Sequence, residues 1–209
     1  MLPGVYPILD ADVLENRGLG VAVAAAALLE GGAEILQLRK KDHWSRAYFK
    51  ETQQVARWCR QQGATLIVND RADMAMLLEA GLHLGQDDLA PRDARKLLGP
   101  DALLGYSTHN AQQLCAGGGE PVSYIALGPI FATGSKRNPD PLVGVEQLAA
   151  WRGLTHLPLV AIGGITRENA RTVLAAGADS VAVIGDLFPP EPTSRALRER
   201  MEEWQRLVK

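Results

Sequence analysis

Short apolar runs alternate along this chain with longer segments whose apolar residues recur at helical spacing. One phrase repeats at the joins: a glycine, a small or apolar residue, then a run of strand character. It appears as Gly32-Ala33 before ILQLR, Gly63-Ala64 before TLIVND, Gly81-Leu82 before HLGQ and Gly177-Ala178 before DSVAVIG. Segments of helical period such as Val21–Leu29, Tyr48–Arg60 and Ala72–Leu78 precede it, so the phrase predicts βα units whose helices end on C-cap glycines. Filling the gaps places strands near Val5–Leu9, Ile35–Arg39, Leu66–Val68, His83–Gly85, Leu103–Tyr106, Tyr124–Leu127, Leu159–Ile162 and Val181–Ile184. Eight strands in 209 residues leave ~26 residues per unit, compact but workable for a (β/α)8 TIM barrel, whose usual size is ~250 residues. A doubly wound open sheet is the competing architecture. It gathers ligand groups at one switch point, whereas here polar residues follow nearly every strand, as the loop ring of a barrel requires. No composition break interrupts residues 1–209, so a single domain is expected. The irregular stretch Ala132–Val143 is too long for an ordinary βα turn and reads as a lid. Arg195–Lys209 reads as a final amphipathic helix with Leu197, Met201, Trp204 and Val208 on one side.

The stretch from Leu159 to Gly185 is the clearest of these units: strand, Gly163-Gly164 turn, helix through Ala170, Val173 and Leu174, cap at Gly177, strand, Gly185 turn. Two apolar strands joined by a helix are parallel neighbours, so both glycine turns emerge at one sheet edge. Glycine lets backbone N–H groups approach a ligand, and a following helix start adds donors and a positive dipole end, which outlines an anion site. Tight turning alone would also account for these glycines.

Composition narrows the function classes. An apolar fraction of 46% and a charged fraction of 22% are ordinary for a globular chain. The net charge of −2 gives no electrostatic footprint for nucleic acid or an anionic membrane, which leaves small molecules or further copies of the same chain, a homo-oligomer, as partners. Two cysteines, Cys59 and Cys115, lack metal spacing; each falls in an expected helix and reads as a small buried thiol in a reducing compartment. No apolar run approaches the ~20 residues needed to span a bilayer, and the first residues lack a leader pattern, so a cytoplasmic location is expected.

Candidate chemistry follows the strands. Gln37, Arg39 and Lys41 alternate, so they share a face while Leu38 turns to the other; two cations and an amide there suit a polyphosphate. Asn69-Asp70-Arg71 opens a helix with Asp70 and Asp73 in its first turn, which a helix cap explains well. Gly85-Gln86-Asp87-Asp88 places two further carboxylates before a helical segment. A cap needs only one of them, and acids from adjacent loops facing a phosphate site have a natural joint role in holding Mg²⁺ that the phosphate also binds. Ser107 is placed to hydrogen-bond a ligand, and His109 is either an acid–base group or a helix cap. No triad accompanies them, so nucleophilic catalysis is not expected. Thr133, Ser135 and Lys136 offer two hydroxyls and a cation on the lid.

QLRKK at 37–41, NDR at 69–71, HLGQDD at 83–88, GYSTH at 105–109, GPIFATGSK at 128–136 and AIGGI at 161–165 resemble, in this order, the thiamine-phosphate synthase family. The resemblance covers nearly the whole chain. It implies a transferase that joins 4-amino-2-methyl-5-(diphosphooxymethyl)pyrimidine to a thiazole phosphate, or its carboxylated precursor, releasing diphosphate. It further implies that Gln37, Leu38, Arg39, Lys40 and Lys41, with Asn69, Ser107 and Lys136, hold the pyrimidine diphosphate. Asp70 and Asp88 would bind Mg²⁺, with Asp87 only a neighbour. Thr133, Gly134, Ser135, Gly164, Ile184 and Gly185 would hold the thiazole phosphate. Arg39, Lys41, Lys136 and Ser107 would act on the departing group. The family commonly has threonine where Ser135 stands and serine where Gly185 stands; the second change removes a side-chain donor and implies weaker phosphate affinity. Two other readings remain: a thiazole tautomerase using His109, and a barrel that only binds a phosphorylated metabolite.

Overall fold

The computed structural model describes residues 2–134 and 140–208. Eight parallel strands close into a barrel in sequence order: β1 Val5–Asp10, β2 Ile35–Arg39, β3 Thr65–Asn69, β4 Gly81–Leu84, β5 Leu104–Thr108, β6 Tyr124–Leu127, β7 Leu159–Ile162 and β8 Ser180–Val183. Closure is made by β1 against β8, with Val5 opposite Val181. The helices are α1 Ala11–Glu15, α2 Val21–Glu30, α3 Arg46–Gln62, α4 Ala72–Leu78, α5 Pro91–Leu98, α6 Ala111–Gly117, α7 Gly144–Trp151, α8 Ala170–Ala175 and α9 Ser194–Val208.

Strand alternation builds two cores. Leu36, Leu38, Val68, Leu82, Leu84, Leu127, Ala161 and Val181 point outward into the layer beneath the helices. Tyr6, Ile8, Ile35, Ile67, Tyr124, Ala126, Val160 and Ala182 point inward and fill the barrel. α9 buries Leu197, Met201 and Trp204, as the sequence pattern predicts. α2 ends hard against it, because a Cβ at Gly31 would meet the Met201 Cβ at 2.6 Å. No helix among the described residues is long and apolar enough to cross a membrane.

Three local expectations are corrected. Gly81 is the first residue of β4 rather than a helix cap; a Cβ there would lie 2.5 Å from Ile67 Cδ1 and 2.6 Å from the Leu103 carbonyl oxygen. α4 instead ends on Glu79, a non-glycine in the left-handed region at φ 53°. Cys59 is buried, which pushes its thiol up to about 11, but Cys115 is exposed. α8 begins only at Ala170, and the Asn169 side chain accepts from Thr166 N at 2.9 Å while donating to the Gly164 carbonyl at 3.1 Å. The Gly163-Gly164 turn is therefore followed by a further side-chain-braced turn, and a helix dipole does not start at it.

Candidate functional site

The C-terminal ends of parallel barrel strands share one rim, and the anticipated residues follow that rule. On β2, Gln37 and Arg39 turn inward while Leu38 is buried in the outer layer, so only the Leu38 backbone is available to a ligand. Arg39 lies opposite Asp10 of β1 and donates to its Oδ2, forming an ion pair whose two side chains are 15% and 4% exposed. Lys40 places its ammonium over the Tyr48 ring, 5.2 Å from the centroid, and so turns away from Arg39. Lys41 reaches across to the next loop and donates to Asp70 Oδ2 at 2.5 Å.

Asp70 is not a helix cap. It stands at φ 62°, a conformation that aspartate tolerates better than most residues, and the cap position of α4 belongs to Arg71 without a side-chain bond. Asp73 is drawn into a local pair with Arg71 at 2.8 Å. The kink at Asp70 thus frees one carboxylate for the rim. Burial first, and then the adjacent Asp88 carboxylate, raise the Asp70 carboxyl above its ordinary value, against the pull of Lys41. Asp88 is itself oriented by the Gly85 N–H, which donates to its Oδ2 at 2.7 Å, whereas Asp87 is exposed.

Two carboxylates close enough to perturb each other are the kind of protein ligand Mg²⁺ uses when substrate phosphates complete its shell. No group of three or more histidines, cysteines or acids gathers among the described residues, so Asp70 and Asp88 alone would not complete a metal's shell. Asn69 supports that reading: it is buried, and its Nδ2 has no partner among the described residues.

Across the rim, Gly128, Gly163 and Gly164 lock two loops together. A Cβ on Gly163 would strike Pro129 Cα at 2.6 Å, and one on Gly164 would strike the Ala132 carbonyl oxygen at 2.5 Å. Phe131 N–H donates to the Gly163 carbonyl at 2.9 Å. Close loop packing and positive φ, 100° and 62°, require these glycines, which brings the Gly164 backbone beside Ala132 and hence beside the Thr133-Gly134 segment. Ile184 packs on the barrel interior, and Gly185 opens a short 3₁₀ turn, Gly185–Leu187, with no steric need for glycine. Arg167 braces this corner by donating to Asp186 Oδ2 at 2.9 Å. Ser135 and Lys136, with residues 137–139 of the expected lid, lie outside the described residues.

Asp10, Tyr6, His83 and Tyr124 escaped the sequence reading. Asp10 closes the apolar run VYPILD and is the last residue of β1, a position equivalent to Arg39 of β2. The other three are interior strand residues, indistinguishable by periodicity from core.

Comparison with known proteins fits this geometry. The family model described as thiamine monophosphate synthase matches residues 5–187. The thiamine-phosphate synthase of Koribacter versatilis is 48% identical over 198 residues, covering 93% of each chain. That of Azorhizobium caulinodans is 39% identical, covering 93% of this chain and 91% of its own. Among solved structures, thiamine phosphate pyrophosphorylase from Pyrococcus furiosus aligns with a TM-score of 0.81 at 28% identity, over 98% of this chain and 94% of that one. With a family model matched over residues 5–187, a matching barrel and relatives of this identity, the chain belongs to the thiamine monophosphate synthase family and is a transferase that forms thiamine phosphate with release of diphosphate.

Proposed function

We propose that the β2, β3, β4 and β5 strand ends, with Gln37 and Ser107 among their residues, hold the pyrimidine diphosphate and the β6, β7 and β8 loops hold the thiazole phosphate. The observation that carries the first half is the interleaving of Arg39, Lys41, Asp70 and Asp88 on adjacent loops, with a buried amide, Asn69, beside them. Cations alone would suit any anion. Cations alternating with carboxylates suit an anion that arrives with a divalent metal. Asp70 and Asp88 would hold Mg²⁺, and when bound it neutralises charge on the diphosphate as that group departs.

The chain's own groups do the rest. Asp10 keeps Arg39 directed at the barrel mouth, leaving its other N–H donors for phosphate oxygens. Lys41, which donates to Asp70 here, would pass to the diphosphate and leave the Asp70 carboxylate free to hold Mg²⁺. Lys136 and Ser135 are assigned their roles from the resemblance. The C–O bond breaks with both electrons leaving on diphosphate, and the thiazole nitrogen forms the new bond to the methylene carbon. Preorganised positive charge at the leaving group is the main source of acceleration, so no protein nucleophile takes part. On the far rim, the backbone at Gly164, Ile184 and Gly185, with Thr133 and Gly134, takes the thiazole phosphate.

The test is a two-substrate assay with Mg²⁺. Thiamine phosphate and diphosphate should appear in equal amounts, and removal of the metal with a chelator should stop both. Unchanged turnover in chelator would remove Asp70 and Asp88 from the proposal.

A further inference from the structure

One polar chain crosses the apolar interior of the barrel. Gln37 Nε2 donates to the Tyr6 hydroxyl at 3.0 Å, and the Tyr6 and Tyr124 hydroxyls are 2.8 Å apart. The Tyr124 hydroxyl lies 3.0 Å from His83 Nδ1, and His83 Nε2 lies 2.8 Å from Ser107 Oγ. Five strands contribute one residue each: β2, β1, β6, β4 and β5. The rings are tightly held, with Tyr6 edge-on to Tyr124 at 5.9 Å and His83 stacked on Tyr124 at 5.6 Å. β5 carries no side chain where the chain passes: a Cβ on Gly105 would lie 2.1 Å from Tyr124 Cζ and 2.5 Å from His83 Nδ1. Both ends are residues assigned above to the pyrimidine diphosphate.

We infer that Tyr6, Tyr124 and His83 are positioning residues, forming a one-way hydrogen-bond relay that fixes which faces Gln37 and Ser107 present to the substrate. The direction follows from proton counting. With the Gln37 amide nitrogen donating to Tyr6, the Tyr6 hydrogen passes on to Tyr124. The Tyr124 hydrogen then goes to the His83 Nδ1 lone pair, which leaves the imidazole proton on Nε2, donated to Ser107. Reversing the Tyr6–Tyr124 link alone would strand the Tyr6 hydrogen, since Tyr6 is fully buried and its only bonds among the described residues are to Gln37 and Tyr124. Burial also raises both phenols above their ordinary value, so each keeps the hydrogen that the relay needs. At the two ends, Gln37 keeps its Oε1 and one N–H for the ligand. Ser107, already accepting from His83, keeps its hydroxyl hydrogen as a donor. The relay rests on the substrate roles of Gln37 and Ser107 but makes a claim that can be read without turnover.

The experiment is nitrogen NMR of the intact, substrate-free protein labelled with ¹⁵N-histidine, the His83 signals being assigned by their loss in His83→Gln. The Nε2–H tautomer is expected. The Nδ1–H tautomer, or protons on both nitrogens, would overturn the relay. Tyr6→Phe removes one link, and it should shift His83 toward a mixture of tautomers. It should also raise the KM for the pyrimidine diphosphate by about 10-fold, the scale of one lost hydrogen bond, with the KM for thiazole phosphate unchanged. An unaltered His83 spectrum in Tyr6→Phe, or equal change in both KM values, would count against it. A parent protein without turnover would refute the functional assignment separately, and the parent's nitrogen spectrum would still decide the relay.

Discussion

Asp10 and Arg39 face each other in register at the ends of the first two strands and form an ion pair sunk into the barrel mouth. The same carboxylate caps α1: its Oδ1 accepts from Asp12 N and Val13 N, each at 3.1 Å, while Oδ2 takes the guanidinium. A helix start and the cation proposed to face the diphosphate are thereby tied to one side chain. A guanidinium has five donors, so the pair fixes its direction without exhausting it.

That division of labour separates two substitutions. Asp10→Asn keeps an oxygen for the cap but loses the charge that holds Arg39, so kcat should fall about 10-fold, the effect of a misdirected charge-assisted donor, with a small change in Tm. Asp10→Ala also loses the cap, and its Tm should drop further by the equivalent of about 1 kcal/mol. Steady-state kinetics and thermal melts on both proteins check this. Normal turnover in Asp10→Asn would reduce Asp10 to a helix cap.

The Asp70–Asp88 pair sets a pH dependence whose sign is fixed. The folded Asp70 holds its proton at a pH where the unfolded one has lost it. Metal-free protein should therefore lose stability as pH rises from the ordinary carboxylate value through the raised one, then level off. Asp70→Asn, which suits the positive φ at this position, should remove that slope. Mg²⁺ with diphosphate should remove it in the parent. Melts across the acid range decide it, and equal slopes in parent and variant would show that Asp70 is not the group responsible. Asp88→Ala should raise the Mg²⁺ requirement more than Asp87→Ala, since Asp87 is exposed and outside the pair.

How far the sequence reached depends on the kind of signal. Strand order and inward alternation at Gln37, Leu38 and Arg39 were legible because a parallel barrel imposes period two between glycine-marked turns. The loop ring was legible because polar residues crowd the strand ends. Asp70 and Asn69 were ambiguous, since the residues that cap helices are also those that ligate metals; the left-handed turn at Asp70 removes only the cap reading. The Gly81 cap was misread because a glycine chosen for the narrow barrel interior and one chosen for positive φ look alike in one dimension. Tyr6, His83 and Tyr124 left no trace, as a hydrogen bond over a separation of 118 residues has no local periodicity.

The two glycines proposed to hold the thiazole phosphate should respond in opposite ways. Gly164→Ala places a methyl against the Ala132 carbonyl at positive φ, which should cost about 1–3 kcal/mol and raise the KM for thiazole phosphate by pushing the loops apart. Gly185 has open space and an ordinary backbone, so Gly185→Ser should leave Tm nearly unchanged and lower that KM by adding a hydroxyl donor. A destabilised Gly185→Ser protein, or an unaffected Gly164→Ala protein, would contradict the loop packing described above.

His109 should separate this enzyme from a thiazole isomerase. Its Nδ1 lies 2.6 Å from the Gly128 carbonyl oxygen, which can only accept, so Nδ1 carries the proton. Nε2 faces the Asp140 carboxylate at 3.5 Å. The ring thus ties the β5 and β6 loops together, with Asn110 rather than His109 capping α6. A general base supplies roughly 10²–10⁴-fold, so its loss would be plain, whereas a loop tie tolerates another donor: His109→Gln should keep thiamine phosphate formation within about 3-fold. Neither protein should isomerise a carboxythiazole phosphate. Isomerisation by the parent that vanishes in His109→Gln would assign the histidine to that chemistry instead.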